Sequence, residues 1–268
     1  MKGTIETYRE NIIKEGIRRA LHYSIFTRVL YDELSNFVYK DRFNKHSENI
    51  KKLHNIHIDK RCFIVATGPS LNKTNLKLIE NEIKIGVNTA FKTGLDFDYY
   101  VVSDRIMWDV YSEELLALDT NMFLGYVASR HFLRNYADNG VNVIMGKKTI
   151  KLPSVFPNDI SKYIYVYAPT VIYLTLQIAY YLGFKEVYLL GCDSDYSHGH
   201  FDGKQFVKTS KIQDIQSAET SFWNTIFDAY KVCKKVYEDD NRKIYNSTVG
   251  GKLEVFERRR LENIDKKE

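Results

Sequence analysis

The spacing of apolar residues changes near residue 61, and this change divides the chain into two regions. Before it, apolar residues recur at every fourth position, which predicts an amphipathic helix. These residues are Ile13, Ile17, Leu21, Ile25 and Val29. Residues 40–59 are polar and charged, and they predict a second helix or a connector. We therefore predict a helical N-terminal extension over residues 1–60.

From residue 61 onward, short apolar runs alternate with helical patterns. The runs predict strands at residues 62–66, 83–87, 99–103, 122–126, 141–145, 186–190 and 243–245. The patterns between them predict helices at residues 71–82, 105–118, 170–182 and 212–236. Strands that alternate with helices are typical of an α/β fold with a mostly parallel sheet and helices on both faces. We predict one such Rossmann-like domain over residues 61–268.

Composition restricts the class of protein. Of the 268 residues, 44% are hydrophobic and 27% are charged, which is typical of a soluble globular protein and excludes disordered and collagen-like chains. The longest apolar runs are far shorter than the ~20 residues of a membrane-spanning helix. The first ten residues lack the apolar core of a signal peptide. Cys62, Cys192 and Cys233 are too scattered for a disulfide framework or a zinc site, so we expect a cytoplasmic protein.

The net charge of +5 is concentrated at the N-terminus, where residues 1–60 contain twelve Lys and Arg against eight Asp and Glu. This excess indicates either a solvated surface or a weakly basic arm that faces an anionic lipid or substrate. Nucleic-acid binding would require a denser basic stripe, and we do not expect it. The predicted N-terminal helix fits packing or self-association, and it also fits peripheral contact with the inner face of a membrane.

Candidate chemistry collects where the predicted strands end. The first strand ends in Thr67-Gly68-Pro69-Ser70, and later strands end at Asn88, Asp104 and Gly191-Cys192-Asp193. Ligands of open α/β sheets bind beyond the carboxyl ends of the strands. Gly68 permits close backbone approach, and Ser70 would cap the following helix while the amides face an anion. These strand ends predict a site for a phosphate or a nucleotide.

Two sets of side chains could act on such a ligand. Asp104 and Asp193 could bind sugar hydroxyls or jointly hold Mg²⁺, or they could cap helices. The loop at residues 194–201 contains His198 and His200, which could act as a general base near neutral pH, and Tyr196, a donor for a departing phosphate. We expect Cys192 to be a small buried residue and not a nucleophile.

At these residues the chain resembles a known superfamily. Ala-Thr-Gly-Pro-Ser-Leu at residues 66–71 resembles the Gly-Asn-Gly-Pro-Ser-Leu opening of bacterial family 42 sialyltransferases. Residues 182–193 are similar to their second signature, and Ile-Tyr-Asn-Ser-Thr at residues 244–248 is similar to their late strand. The same blocks occur in motility-associated flagellin glycosyltransferases and in archaeal pterin pyrophosphokinases of the MptE-like type. The resemblance covers roughly residues 61–256.

The resemblance implies a GT-A-like variant of the Rossmann-like fold that uses a CMP-activated donor without a metal ion. In the family, a histidine in a lid after the second signature is the general base, and tyrosines stabilise the departing phosphate. We assign the base to His200, or else to His198, because Phe201 beside His200 could help to keep its imidazole neutral. Tyr196 is our candidate at the leaving phosphate, although the family's tyrosine falls at the position of Asp195. The resemblance also implies that the donor site is lined by Thr67, Gly68, Pro69, Ser70, Asn88, Asp104, Thr170, Gly191, Asp193, Asn246 and Ser247. In the family, Asn stands at the positions of Thr67 and Asp104.

Three functions therefore remain open. The first is an inverting glycosyltransferase that moves a sialic or other nonulosonic acid from a CMP-linked donor to a cell-surface glycan or lipid-linked acceptor, and needs no cofactor. The second is a Mg²⁺-dependent pyrophosphokinase of the 6-hydroxymethylpterin type, with Asp104 and Asp193 near the metal. The third is a nucleotide-binding module with a degenerate site. The histidine loop favours the first function, and the two carboxylates favour the second.

Overall fold

The computed structural model describes residue 37 and residues 40–125, 141–168, 170–194, 200–202, 205–207 and 220–264. The chain divides near Arg42, and the second unit, Phe43–Glu268, contains the central sheet. The helix predicted around residues 13–29 lies outside the described residues. The extension over residues 1–60 therefore stays a prediction.

The described residues form twelve strands, of which eight make one parallel sheet. In the order β12-β11-β8-β1-β2-β3-β4-β5, every neighbouring pair of this sheet is parallel. Two small sheets stand apart, a parallel β6–β7 pair and an antiparallel β9–β10 hairpin. The bounds are β1 (Arg61–Val65), β2 (Lys84–Val87), β3 (Tyr99–Val102), β4 (Asn121–Leu124), β5 (Asn142–Val143), β6 (Gly146–Lys148), β7 (Ile164–Val166), β8 (Glu186–Leu190), β9 (His200–Asp202), β10 (Gln205–Val207), β11 (Lys243–Asn246) and β12 (Glu257–Arg258).

Four α-helices are described, and they are α1 (Lys40–Lys52), α2 (Arg105–Leu116), α3 (Val171–Leu182) and α4 (Thr220–Asp239). Within the described ranges, no helix is both long enough and apolar enough to cross a bilayer. The helix predicted at residues 71–82 is wrong, because two 3₁₀ turns, Pro69–Lys73 and Leu76–Ile79, occupy this region. Thr74 separates them with an extended backbone (ψ 127°), and its hydroxyl donates to the Ser70 carbonyl at 2.9 Å.

Both faces of the sheet are buried, as expected for an all-parallel sheet. On one face Cys62 and Ile64 of β1 belong to a core that also contains residues of α3 and α4. On the other face the Phe63 ring stacks on Tyr188, with 5.1 Å between ring centroids, and Tyr188 stacks on Tyr245 at 5.0 Å. The α/β class and the parallel sheet predicted from the alternating pattern are thus confirmed.

The turn after α1 packs on the end of α3. The Asn55 amide donates to the Tyr181 carbonyl at 3.0 Å, and the His57 amide donates to the Leu182 carbonyl at 2.9 Å. These two carbonyls lie in the last turn of α3, where no partner is available within the helix. Gly183 then ends α3 with a left-handed backbone (φ 96°). Residues 55–57 therefore form part of the packing around the sheet.

Candidate functional site

The strand order places a topological switch point between β1 and β8, which we call the β1–β8 crevice. The chain builds outward from β1 to β5 and then returns to β8, on the other side of β1. The connections leaving β1 and β8 therefore diverge at the carboxyl edge of the sheet, which is the point where open α/β sheets bind ligands. Val65 and Leu190 pair at the ends of the two strands, so the loops that follow them are neighbours.

A buried carboxylate bridges the two loops. The Ser70 hydroxyl donates to Oδ2 of Asp193 at 2.8 Å, and the Ser70 amide lies 3.2 Å from Oδ1 and 3.4 Å from Oδ2. Ser70 is 3% exposed and Asp193 is 9% exposed. Hydrogen bonds to a charged group are stronger than those between neutral groups, and more so away from water. Asp193 is thus a fixed negative charge at the centre of the crevice.

This carboxylate changes what the Thr67–Ser70 loop can bind. The Gly68 amide donates to the Gly191 carbonyl at 2.8 Å, and the Leu71 amide donates to the Gly68 carbonyl at 3.2 Å. Pro69 has no amide hydrogen, and the Ser70 amide is taken by Asp193. The sequence led us to expect amides facing a bound anion. In the structure, the protein's own carboxylate takes the position of that anion.

Gly68 has no side chain because none would fit. A Cβ atom at this position would overlap Asp193 Oδ2 and the Gly191 carbonyl oxygen, and it would lie 2.7 Å from Asp193 Cγ. Gly191 combines a left-handed backbone (φ 67°) with close packing, since a Cβ would lie 2.8 Å from Leu71 Cγ. Both glycines therefore allow the two loops to touch.

Cys192 lies between Gly191 and Asp193, in surroundings that do not favour a nucleophile. Its side chain is buried, and burial raises the pKa of the thiol well above its usual range. The thiol stays protonated, which makes it unreactive. The expectation of a small buried residue is confirmed.

Three further predicted residues lie at the same edge of the sheet. Asn88 follows β2 with a left-handed backbone (φ 51°), and its side-chain oxygen is buried with no hydrogen-bond partner among the described residues. Asp104 is exposed and accepts from the Ile106 amide at 2.8 Å, so it caps α2. Thr170 caps α3, and its hydroxyl lies 3.2 Å from the Tyr230 hydroxyl.

The two predicted magnesium ligands lie far apart in the sheet. Asp193 follows β8 and Asp104 follows β3, which is three strands away. Strands are about 4.8 Å apart, so the separation is about 14 Å. One ion at its usual ~2.1 Å from both carboxylates does not fit this spacing. Within the described part of the chain, no three His, Cys, Asp or Glu residues cluster as metal ligands.

The predicted catalytic residues are only partly described. Tyr196 and His198 lie outside the described residues. His200 begins β9, where it pairs with Val207 across the hairpin. Strand β9 lies against the Pro69–Lys73 turn, so the backbone of His200 belongs to the same edge of the sheet as Ser70.

Asn246 and Ser247 bind the protein's own backbone. The Asn246 carboxamide donates to the Leu253 carbonyl at 2.6 Å and accepts from the Thr248 amide at 3.0 Å. The Ser247 hydroxyl donates to the Arg259 carbonyl at 2.6 Å. Sequence reasoning missed Thr248, whose hydroxyl accepts from the Cys192 amide at 3.0 Å. The sequence signal that could have identified Thr248 is its position directly after the Asn246-Ser247 pair.

A cavity of about 470 Å³ lies at the opposite edge, where β2, β3 and β4 begin. Its lining is mostly polar and comprises His57, Lys84, Asp96, Phe97, Asp98, Tyr99, Asp119, Thr120 and Asn121. The carboxyl edge is the usual ligand site of an open α/β sheet, and the candidate residues converge there. We therefore place the candidate site in the β1–β8 crevice and not in this cavity.

A comparison with known protein families finds one match. A family model described as "6-hydroxymethylpterin diphosphokinase MptE-like" matches residues 35–199, which is more than half of the chain. The match includes the loops after β1 and β8 and ends just before His200. No curated protein matches the chain. The narrower resemblance to sialyltransferases stays a prediction. The chain therefore belongs to the MptE-like family that this model describes.

Proposed function

We propose that this protein transfers a diphosphate group from ATP to the hydroxymethyl group of a pterin-like heterocycle. The observation that carries the proposal is the buried carboxylate of Asp193, which takes the Ser70 amide and hydroxyl at the centre of the crevice. A site with this fixed negative charge favours ligand groups that donate hydrogen bonds. It disfavours a free phosphate at the same point.

A pterin ring supplies suitable donors. Its amino group and the adjacent ring N–H point in the same direction, and such a pair can donate two parallel hydrogen bonds to one carboxylate. A carboxylate has about four acceptor positions, and the pterin donors would add to the contacts that Asp193 already makes within the protein. Exclusion of water strengthens each of these hydrogen bonds. The family match supports the same substrate class.

The phosphates of ATP would then lie elsewhere on the rim. The N-terminus of α3 begins at Thr170, on the carboxyl edge of the sheet, and helix N-termini favour anions. Asp104 is exposed at the end of β3, and Mg²⁺ is commonly held by one or two carboxylates together with substrate phosphates. A magnesium ion bound with ATP would reduce the negative charge of the phosphates. We assign this role to Asp104 and not jointly to Asp193, because the two carboxylates lie three strands apart.

The proposed diphosphate transfer is a single displacement. The acceptor hydroxyl oxygen forms a bond to the β-phosphorus of ATP, and the bond from that phosphorus to the α–β bridging oxygen breaks. The products are AMP and the diphosphate ester of the hydroxymethyl group. The hydroxyl proton passes to a general base, for which His200 is our candidate. The position of β9 against the Pro69–Lys73 turn supports this choice.

Glycosyl transfer from a CMP-linked nonulosonic acid is the second candidate. The β9–β10 hairpin supports it, because a histidine on a hairpin beside the donor loop could activate an acceptor hydroxyl. His200, His198 and Tyr196 would carry this inverting reaction. The donor would bring a phosphate and a carboxylate to a rim that already contains Asp104 and Asp193. Because this reaction uses no metal ion, no cation would offset the repulsion between the donor's anionic groups and the two carboxylates. The charges at the rim therefore favour diphosphate transfer.

Two parallel assays separate the candidates. The full chain is incubated with ATP, Mg²⁺ and 6-hydroxymethylpterin in oxidised and reduced forms, and AMP is measured. In parallel, CMP release is measured from a CMP-linked sialic acid with a glycan acceptor and no metal. We expect pterin-dependent AMP formation and no CMP release. CMP release without pterin-dependent AMP would overturn the proposal in favour of the second candidate.

Two variants sharpen this test. Asp193→Asn replaces one acceptor oxygen by a donor group, and we expect it to weaken pterin binding by roughly ten-fold or more. Asp104→Asn should instead raise the Mg²⁺ concentration needed for half-maximal activity while pterin affinity is retained. Equal effects of the two variants on pterin affinity would contradict the separate roles. Thermal unfolding of each variant provides the control for folding.

A further inference from the structure

The segment from Asn246 to Leu253, which we call the clamp loop, holds the backbone around Asp193. We infer that the clamp loop positions the Asp193 carboxylate for ligand recognition, with Thr248 as its positioning residue. The identity of the ligand rests on the proposed function. The placement of Asp193 does not, and it can be tested separately.

Thr248 links the clamp loop to the loop that follows β8, at Gly191–Asp193. Its hydroxyl accepts from the Cys192 amide at 3.0 Å and lies 3.4 Å from the Leu189 carbonyl. Thr248 is 4% exposed, so water cannot replace the hydroxyl if it is removed. A buried amide left without an acceptor is strongly unfavourable. Thr248 therefore fixes the Gly191–Cys192 peptide, one residue before Asp193.

The far side of the clamp loop fixes Asp193 itself. The Lys252 amide donates to the Asp193 carbonyl at 2.7 Å. Gly251, with a left-handed backbone (φ 73°), packs so closely that a Cβ would lie 2.8 Å from Asp193 Cα. The main chain of Asp193 is thus held from the clamp loop, while its side chain is held by Ser70.

Asn246 gives the clamp loop its shape. Its carboxamide binds the Thr248 amide on one side and the Leu253 carbonyl on the other, and the residue is 1% exposed. One side chain therefore ties together the two ends of the loop. The resemblance implied that Asn246 contacts the nucleotide. These hydrogen bonds point to a supporting role beside Thr248, and the contact with a nucleotide stays a prediction.

The test compares Thr248→Val, which keeps the shape and loses the hydroxyl, with Thr248→Ser, which keeps the hydroxyl. The first readout is hydrogen exchange at the Ser70 amide in the full chain, followed by NMR. Ser70 has no hydrogen bond to Thr248 in the structure, so its exchange reports on Asp193. We expect about ten-fold faster exchange in Thr248→Val and less than a two-fold change in Thr248→Ser.

The second readout is affinity for 6-hydroxymethylpterin. Thr248→Val should weaken it about ten-fold, and the same change should have no further effect in an Asp193→Asn background. Gly251→Ala provides an independent variant that displaces Asp193 from the other side of the loop.

Unchanged Ser70 exchange in both Thr248→Val and Gly251→Ala would overturn the inference. An equal loss of affinity with and without the Asp193 carboxylate would overturn it as well. Faster Ser70 exchange in a protein whose wild type binds no pterin would support the clamp and overturn the proposed substrate.

Discussion

Gly68→Ala is the substitution whose outcome the structure predicts most sharply. Gly68 has φ −76° and ψ 156°, a backbone conformation that alanine adopts without strain. At such a position, replacing Gly by Ala usually stabilises a protein by about 0.4–1 kcal/mol, because the unfolded chain loses entropy. Here the new methyl group would overlap the carboxylate of Asp193 and the carbonyl of Gly191. We expect the opposite sign.

The magnitude follows from the hydrogen bonds that must break. To make room, Asp193 has to leave the Ser70 amide and hydroxyl, two donors to a charged acceptor. Each is worth about 1.5–3 kcal/mol, which gives about 3–6 kcal/mol for both. Subtracting the gain of about 0.4–1 kcal/mol leaves a destabilisation of about 2–6 kcal/mol. In a chain of this size, Tm falls by about 2–4 °C per kcal/mol.

The assay is equilibrium unfolding in urea, with Gly94→Ala as the matched control. Gly94 has a left-handed backbone (φ 75°), and a Cβ added there would have no atom within 4 Å. Gly94→Ala should therefore destabilise the protein by about 1 kcal/mol through backbone strain alone. A double-mutant cycle tests whether the loss of stability comes from the Ser70–Asp193 hydrogen bonds. Once Gly68→Ala has displaced Asp193, Ser70→Ala should hardly change the free energy of unfolding. A neutral or stabilising Gly68→Ala, or fully additive effects, would refute the reasoning.

Three further predictions concern other residues. Ser70→Ala in the wild type should lower the free energy of unfolding by about 1.5–3 kcal/mol, and a urea midpoint unchanged from wild type would contradict this. The pKa of His57 is lowered from its ordinary value of 6.5 by burial and by Lys60, against an opposing effect of Asp98. The unfolded state therefore binds more protons between the two pKa values, so stability should be complete above about pH 6.5 and fall as pH decreases below it. His57→Gln should flatten this dependence of Tm on pH, whereas a variant of the exposed His54 should retain it. His200→Ala should reduce kcat by about 10²–10⁴ at unchanged nucleotide affinity, with less than ten-fold for His198→Ala, and equal losses would contradict a base at His200.

The sequence by itself determined the class of fold and the edge of the sheet that carries the candidate residues. After a charged first residue, strands β1 and β8 each continue as four consecutive apolar residues, and this is the pattern that burial on both faces imposes. Polar and glycine residues follow these runs because the chain has to turn there. Local periodicity predicted secondary structure less reliably after β1. The apolar pattern at residues 71–82 predicts one helix, but the chain forms two short 3₁₀ turns in this region.

The tertiary structure alone decided which groups meet in the crevice. Ser70 and Asp193 are 123 residues apart, and they meet because β8 returns to the free side of β1. The same strand order separates Asp104 from Asp193 by three strands, although the sequence presents both as similar carboxylates at strand ends. Hydrogen-bond partners such as Thr248 with Cys192 depend on this order in the same way. Local sequence specifies which residues end a strand, but only the packing of distant strands determines which of those ends are neighbours.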